Sequence, residues 1–435
     1  MKHDHAPADT ESIEDAMVDG DVAYQRGTAQ AALRHRNFRI VYFGTFASNI
    51  GTWMQNVILG AYALKLTDST DYVALIYFCQ LGPLLFLSTF GGLLADTVDR
   101  RRLLIGSQIV QMVLSAGLAV LALVDEPPLG GLAALVFSIG IVNALGAPAL
   151  SSILPTLVPR EDLSGAVALQ SVQMNLSRVI GPAIGAALYS RLDASPVFAI
   201  NAATYLFAVA GLVWATYPRR TGAVVEEQGF RRLLSGVRIV RREPLLRYLI
   251  LTLFSFSLFS LSFVGLMPVI AQDRFGMDPK SDPYGVLYAC FGLGAALGAV
   301  TVGTVFAHRS KARLLQPGFI AFAAVLAIFG SLQSAAPAYP IAALLGYAYF
   351  IVITSLSTVL QEHLPDEQRG RVMALWIMGF GGTVPLGVLL TGWIEEHTAV
   401  TISQIVYAGC LWALVLAAGS GAARLRRKGA VDVSN

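Results

Sequence analysis

The residues able to do chemistry are an arginine inside one apolar run and a polar stripe along another. Arg178 sits near the middle of the run 167–189, where an ionised guanidinium costs about 2.5–3.5 kcal/mol in hydrocarbon. No Asp, Glu or His falls in the middle of any apolar run, so an ion pair at that depth is unavailable. Two readings stay open. Either neutral groups partner it, Asn175 one turn back or Asn143 and Gln173 with water or backbone carbonyls, or an anionic solute brings the counter-charge. In the run 38–64, Tyr42, Thr45, Asn49, Thr52 and Asn56 recur at intervals of three and four, with Trp53 and Gln55 beside them. They share one helix face, which must meet protein or a water-filled cavity. Helix–helix hydrogen bonding is the plainer alternative, but five positions exceed what one packing contact needs, which favours a cavity.

Aromatic residues supply the other candidates. Phe254, Phe256, Phe259 and Phe263 occur with Ser255 and Ser262, Tyr284 and Tyr288 with Phe291, and Tyr347, Phe350, Thr354, Ser357 and Gln361 share a face. Most such rings pack or meet lipid. Those lining a cavity, with Phe259, Tyr288 and Thr354 as candidates, suit a large, partly aromatic, amphipathic solute rather than a sugar. His3 and His5 lie in a polar tail, and Cys79, Cys290 and Cys410 fall in three separate runs, which is no metal or disulfide pattern. No nucleophile, base and acid set appears, so neither an enzyme nor a cofactor or metal is expected.

These residues need a membrane to position them. The 435 residues are 55% hydrophobic and 14% charged, with a mean hydropathy of +0.61, against roughly 25% charged residues in soluble domains. A crossing helix takes about 20 apolar residues, and twelve runs qualify: 38–64, 72–94, 103–124, 131–154, 167–189, 196–217, 246–270, 283–306, 314–333, 339–360, 372–394 and 401–420. Of the 31 Lys and Arg, only Lys65, Arg191, Arg274 and Lys280 fall on one side and Arg178 inside a run. The others mark the cytoplasmic side, which holds both termini. The net charge of +3 therefore reports orientation and not a nucleic-acid partner. Residues 1–37 read as a disordered cytoplasmic tail without a cleavable signal. Residues 218–245 read as a linker in which Phe230, Leu233, Leu234, Val237 and Val240 make an amphipathic surface helix, and 421–435 as a basic tail. Short loops fit a bacterial inner membrane.

The chain also repeats itself. Leu154-Pro155 through Pro159-Arg160-Glu161 into Ala168-Leu169 recurs as Leu360 through Pro365-Asp-Glu367 into Ala374-Leu375, and Gly387 follows Gly181 by the same 206 positions. Two six-helix bundles, 38–217 and 246–420, that rock about a midplane site are the expected architecture. Gly181, Pro182 and Gly185 make one bendable helix, and Gly382, Pro385 and Gly387 the counterpart.

Between the second and third runs stands Gly92-Leu-Leu-Ala-Asp96-Thr-Val-Asp99-Arg100-Arg101-Arg102. It resembles the loop signature Gly-x-Leu-Ala-Asp-x-x-Gly-Arg-Lys of the major facilitator superfamily, with Asp99 at the usual glycine. The fifth run resembles the exporters' Gly-Pro-x-x-Gly-Gly, ending in Ala186. From Arg34 to Ala417 the chain resembles the bacterial efflux group around the enterobactin exporter, through Arg36-Asn37-Phe38-Arg39, Ser48 to Gln55, Leu157-Val-Pro159, Asn175 to Pro182, Gly236 to Val240 and Pro244 to Arg247. The resemblance implies a twelve-helix transporter, a monomer in the lipid bilayer, exporting a siderophore or drug-like small molecule by alternating access with a coupling proton. It implies further that Gly92, Asp96 and Arg100 to Arg102 latch the cytoplasmic helix ends. The superfamily's fourth-helix arginine is missing from 131–154, so the sequence names no proton-sensing residue. An importer or lysolipid flippase, and a receptor or scaffold that does not transport, are the alternatives.

Overall fold

The computed structural model describes residues 26–217 and 230–432. Among them every regular element is helical. The first half holds α1 (Ala29–Arg34), α2 (Arg36–Thr67), α3 (Thr70–Leu81), α4 (Pro83–Thr97), α5 (Arg100–Leu121), α6 (Leu129–Ile153), α7 (Leu163–Tyr189) and α8 (Ala194–Trp214). After α9 (Phe230–Arg242), the second half holds α10 (Pro244–Ser260), α11 (Met267–Phe275), α12 (Asp282–Gly303), α13 (Ala312–Ser331), α14 (Ala335–Glu362), α15 (Asp366–His397) and α16 (Ile402–Asp432). The twelve expected crossings are α2, α3 with α4, α5 to α8, α10 with α11, and α12 to α16. Among the described residues nine helices are long and apolar enough to cross a membrane by composition alone, and α10 makes a tenth when joined to α9. The two that fall short are α2 and α7, which carry the polar stripe and Arg178.

Local chemistry sets the ends and breaks. Ser69 caps α3 by accepting from Tyr72 N, and Asp68 takes the left-handed conformation that ends α2. Pro83 has no N–H to continue α3, so the second crossing restarts there as α4. The seventh crossing, expected as one run over 246–270, breaks into α10, a 3₁₀ turn at Ser262–Val264 and α11. Pro244 opens α10 with Glu243 extended before it, and α9 meets α10 at 116°. The amphipathic linker helix is α9. Its Val240 is buried, and Gly236 lies close against the Arg371 carbonyl of α15.

The halves repeat contact for contact. In the first, α2 packs on α7 and α8, α5 on α6 and α8, and α4 on α6. In the second, α10 packs on α15 and α16, α13 on α14 and α16, and α12 on α14. The two join where α7 meets α12 and where α3 and α4 meet α15, pairs exchanged by the same two-fold relation.

The expected tail 1–37 is structured at its end, while residues 1–25 lie outside the described residues. Thr28 accepts from Ala31 N to cap α1, and Ala31 and Ala32 are buried. Gly27 N donates to Asp162 Oδ1 at 3.0 Å, His35 Nε2 stands 2.8 Å from Asp162 Oδ2, and Ser164 Oγ donates to the Gly27 carbonyl at 2.9 Å. Asp162 thus straps the segment onto the start of α7, an anchor that lies far away in sequence.

Candidate functional site

The polar stripe of α2 divides among neighbours as it crosses the half. Tyr42 donates to the Leu169 carbonyl at 3.2 Å, and Thr45 receives Gln173 Nε2 at 3.1 Å, both from α7. Thr52 pairs with Tyr205 of α8, whose hydroxyl donates to Gln111 of α5 at 2.7 Å. Asn56 Oδ1 accepts from Gln80 Nε2 of α3 at 2.6 Å. Beside the stripe, Asn201 Nδ2 donates to Gln55 Oε1 at 2.8 Å and approaches Ser115 Oγ at 3.4 Å. The plainer reading, helix–helix bonding, accounts for much of the stripe.

The rest faces a cleft. Thr45, Ser48, Asn49 and Thr52 line a cavity of about 160 Å³ together with Gln108 and Gln111 of α5, Asn143 and Leu150 of α6, and Gln170, Gln173 and Met174 of α7. Most of these positions lie in the half of each helix nearest the turns at 97–102 and 154–162, the end with most of the Lys and Arg, with Thr52 and Gln111 just past the midpoints. Ser48 donates to Gln108 across it at 3.1 Å. Gln108, Gln111 and Ser115 were not among the candidates singled out above, although their spacing on α5 carries the same stripe signal.

Arg178 lies one turn deeper on α7. Its guanidinium carbon stands 4.9 Å from the Trp53 ring centroid and 5.0 Å from that of Phe350 in α14, and Tyr349 extends this aromatic cluster, 4.9 Å from Phe350 and 6.0 Å from Phe291. The proposed amide partners go elsewhere, with Asn175 donating to the Ser171 carbonyl, Gln173 bound to Thr45 and Asn143 in the cleft. Aromatic faces from both halves replace them, which correction follows from the side Arg178 takes on α7. Tyr288 joins this cage, and its ring lies 6.3 Å from Phe291. Phe259 does not: its ring lies tilted against Trp412 with centroids 4.9 Å apart, and it is 42% exposed. Thr354 receives the Thr358 hydroxyl on its carbonyl, within α14.

At the end opposite the basic turns, polar contacts tie the halves together. Glu396 Oε2 accepts from Thr70 N at 2.9 Å and from Ser69 Oγ at 3.2 Å. Ser190 Oγ donates to Asp282 Oδ1 at 2.5 Å, beside Arg191, Gln272 donates to Asp68 at 3.0 Å, and Lys280 Nζ reaches Asp193 Oδ1 at 2.6 Å. The Lys280 ammonium holds the Asp193 carboxyl below the usual carboxylate range. Burial pushes the Asp273 carboxyl up, and nearby Glu395 and Asp68 add to the shift.

With this geometry, likeness to known proteins becomes informative. The family model described as transmembrane secretion effector matches residues 27–434. The chain belongs to that family, a branch of the major facilitator superfamily. Macrolide efflux protein A of Streptococcus pyogenes is 23% identical over 387 residues, covering 84% of this chain and 92% of that protein. The enterobactin exporter EntS of Shigella boydii is 28% identical over 348 residues, covering 79% and 81%. Among solved structures, the nucleoside transporter NupG aligns with a TM-score of 0.71 at 14% identity, over 89% of this chain and 98% of that one. PepTSo aligns with a TM-score of 0.70 at 12% identity, over 91% and 99%. Both likenesses show the all-helical facilitator-type fold.

The facilitator loop signature lies partly outside the described side chains, which exclude those of Gly92 and Asp96. Asp99, the departure from glycine, caps α5 by accepting from Arg102 N at 2.8 Å. Arg101 donates from Nε to the Leu212 carbonyl at 3.0 Å and from Nη2 to that of Val213 at 2.6 Å, with Tyr217 under its guanidinium. It thereby neutralises the end of α8 and ties α5 to its own half. Arg100 has contacts of its own.

The glycines expected to bend helices sit at close crossings. Gly181 faces Ile50 and Trp53, Gly185 faces Met54, Gly387 faces the Leu258 carbonyl, and Gly382 faces Leu85 of the other half. α7 and α15 each run unbroken through Pro182 and Pro385.

Proposed function

We propose that this facilitator exports an amphipathic small molecule from the cytoplasm by alternating access, driven by the proton gradient and working as a monomer in a bacterial inner membrane. The observation that carries the reading is a polar cleft in one half of the span combined with ties between the bundles at the opposite end. The amide- and hydroxyl-lined cleft lies in the basic half, while Glu396, Asp282, Asp193 and Asp68 tie the bundles together at the other end. The bias of Lys and Arg puts the basic end, and both termini, in the cytoplasm. The arrangement is then a state loaded from inside, and exchange of ties from one end to the other would release the solute outside. The family description and the relatives' printed names, an efflux protein and an exporter, support outward transport.

Accumulation of a catecholate siderophore, a macrolide and ethidium in efflux-deficient bacteria tests this, with and without the protein and a protonophore. Expression should lower accumulation of at least one compound, and the protonophore should restore it. Unchanged accumulation of all three would count against export, and lowered accumulation that survives the protonophore would count against proton drive.

A further inference from the structure

The guanidinium carbon of Arg178 lies over two aromatic rings, and its Nε is buried with no acceptor. Trp53 and Phe350 stack on it at 4.9 and 5.0 Å, one ring from each half. None of its N–H groups donates to a described residue. Aromatic faces attract the charge but cannot accept in-plane N–H bonds, so the donor fork remains unspent. Leaving buried charged donors unpaired is costly.

A guanidinium kept for structure is treated differently in this same chain. Arg101 spends its fork on the Leu212 and Val213 carbonyls with Tyr217 beneath it. Arg178 has the ring contacts without the carbonyls. Arg178 is partly exposed and lies one helical turn beyond Met174, which lines the cleft together with Thr52.

We propose that Arg178 is the anion-recognition residue of the transport site, and that the solute carries a carboxylate or similar planar oxyanion on an aromatic body. Two parallel N–H bonds from the fork would hold the oxyanion, and Trp53, Tyr288, Tyr349 and Phe350 offer rings against which the attached arene stacks. The cage draws on both halves, so binding the anion there engages both bundles at once. The inference rests on the export reading for calling that solute a substrate, but recognition itself does not depend on transport.

The test is a calorimetric titration of the purified full-length protein with 2-naphthoate and with 2-naphthamide, which share the arene and differ in charge. The naphthoate should bind at least about tenfold more tightly, the least expected of one charge-assisted hydrogen bond. In Arg178→Gln the preference should vanish, and in Arg178→Lys, which keeps the charge and loses the fork, it should shrink. Equal binding of the two by the native protein, binding of neither, or an anion preference that survives in folded Arg178→Gln would overturn the proposal. Should Arg178→Gln not fold, the native comparison and Arg178→Lys decide, an undiminished preference in the latter counting against the fork. Failure here would leave the export reading standing, and failure of export in cells would leave the binding result standing.

Discussion

Lys280 Nζ lies 2.6 Å from Asp193 Oδ1, joining the loop before α12 to the loop before α8, and so one bundle to the other at the end away from the termini. Replacing Asp193 by Asn should loosen that end. The readout is labelling of a Ser190→Cys reporter by a membrane-impermeant maleimide, which should speed up several-fold.

Acid should act on this end in two opposite ways. Asp193 is held below its ordinary value of 3.8, so its tie is present above that value and is lost as pH falls through the depressed one. Asp273 is raised above 3.8, so the joined arrangement takes up its proton more readily and is favoured as pH falls through the interval above 3.8. Mild acidification should therefore slow labelling of the Ser190→Cys reporter, and Asp273→Asn should remove that pH dependence.

The Asp162 strap predicts a local effect. Its carboxyl is held low by the Gly27 N–H and by His35, so the contact persists above the ordinary carboxylate value and fails only in stronger acid. Asp162→Ala should release residues 26–35 at neutral pH, seen as faster amide exchange over that segment with little change in α7.

Gly181 and Gly387 do the same work in the two halves. Each sits where the fifth crossing of its half touches the first, Gly181 on Ile50 and Trp53, Gly387 on Leu258. Gly181→Ala and Gly387→Ala should each destabilise the protein by about 1–3 kcal/mol through overpacking, read as lower thermal midpoints in detergent.

Arg101 is a smaller anchor. Its hydrogen bonds cap α8, and Arg101→Ala should cost about 1.5–3 kcal/mol, the range for bonds from a charged donor. Arg101→Lys should recover only part of it, because an ammonium lacks the fork. The check is again the thermal midpoint.

Much of the architecture was legible because duplication left its mark on the chain. The shared offset of Gly181 and Gly387 pointed to halves whose helices meet in matching pairs. The cost of Arg178 in hydrocarbon flagged it, and the stripe on α2 found one wall of the cleft. Its cage was not legible, since Trp53, Tyr288 and Phe350 come from three helices spread over nearly 300 positions and ordinary membrane aromatics look the same in sequence. Phe259 shows the converse: a ring in the seventh crossing that turned to Trp412 instead. The strap was hidden for a related reason, because nothing in the polar tail announces that Asp162 will bind it.

The most direct test of the account is a lock. Ser190 and Asp282 touch across the halves at 2.5 Å, so Ser190→Cys with Asp282→Cys, in a background with Cys79, Cys290 and Cys410 replaced by alanine, should form a disulfide that holds this end shut. Ethidium efflux, or efflux of whichever compound the native protein exports, should be lost on oxidation and return on reduction. Full efflux with the disulfide formed would contradict an export cycle in which this end must open.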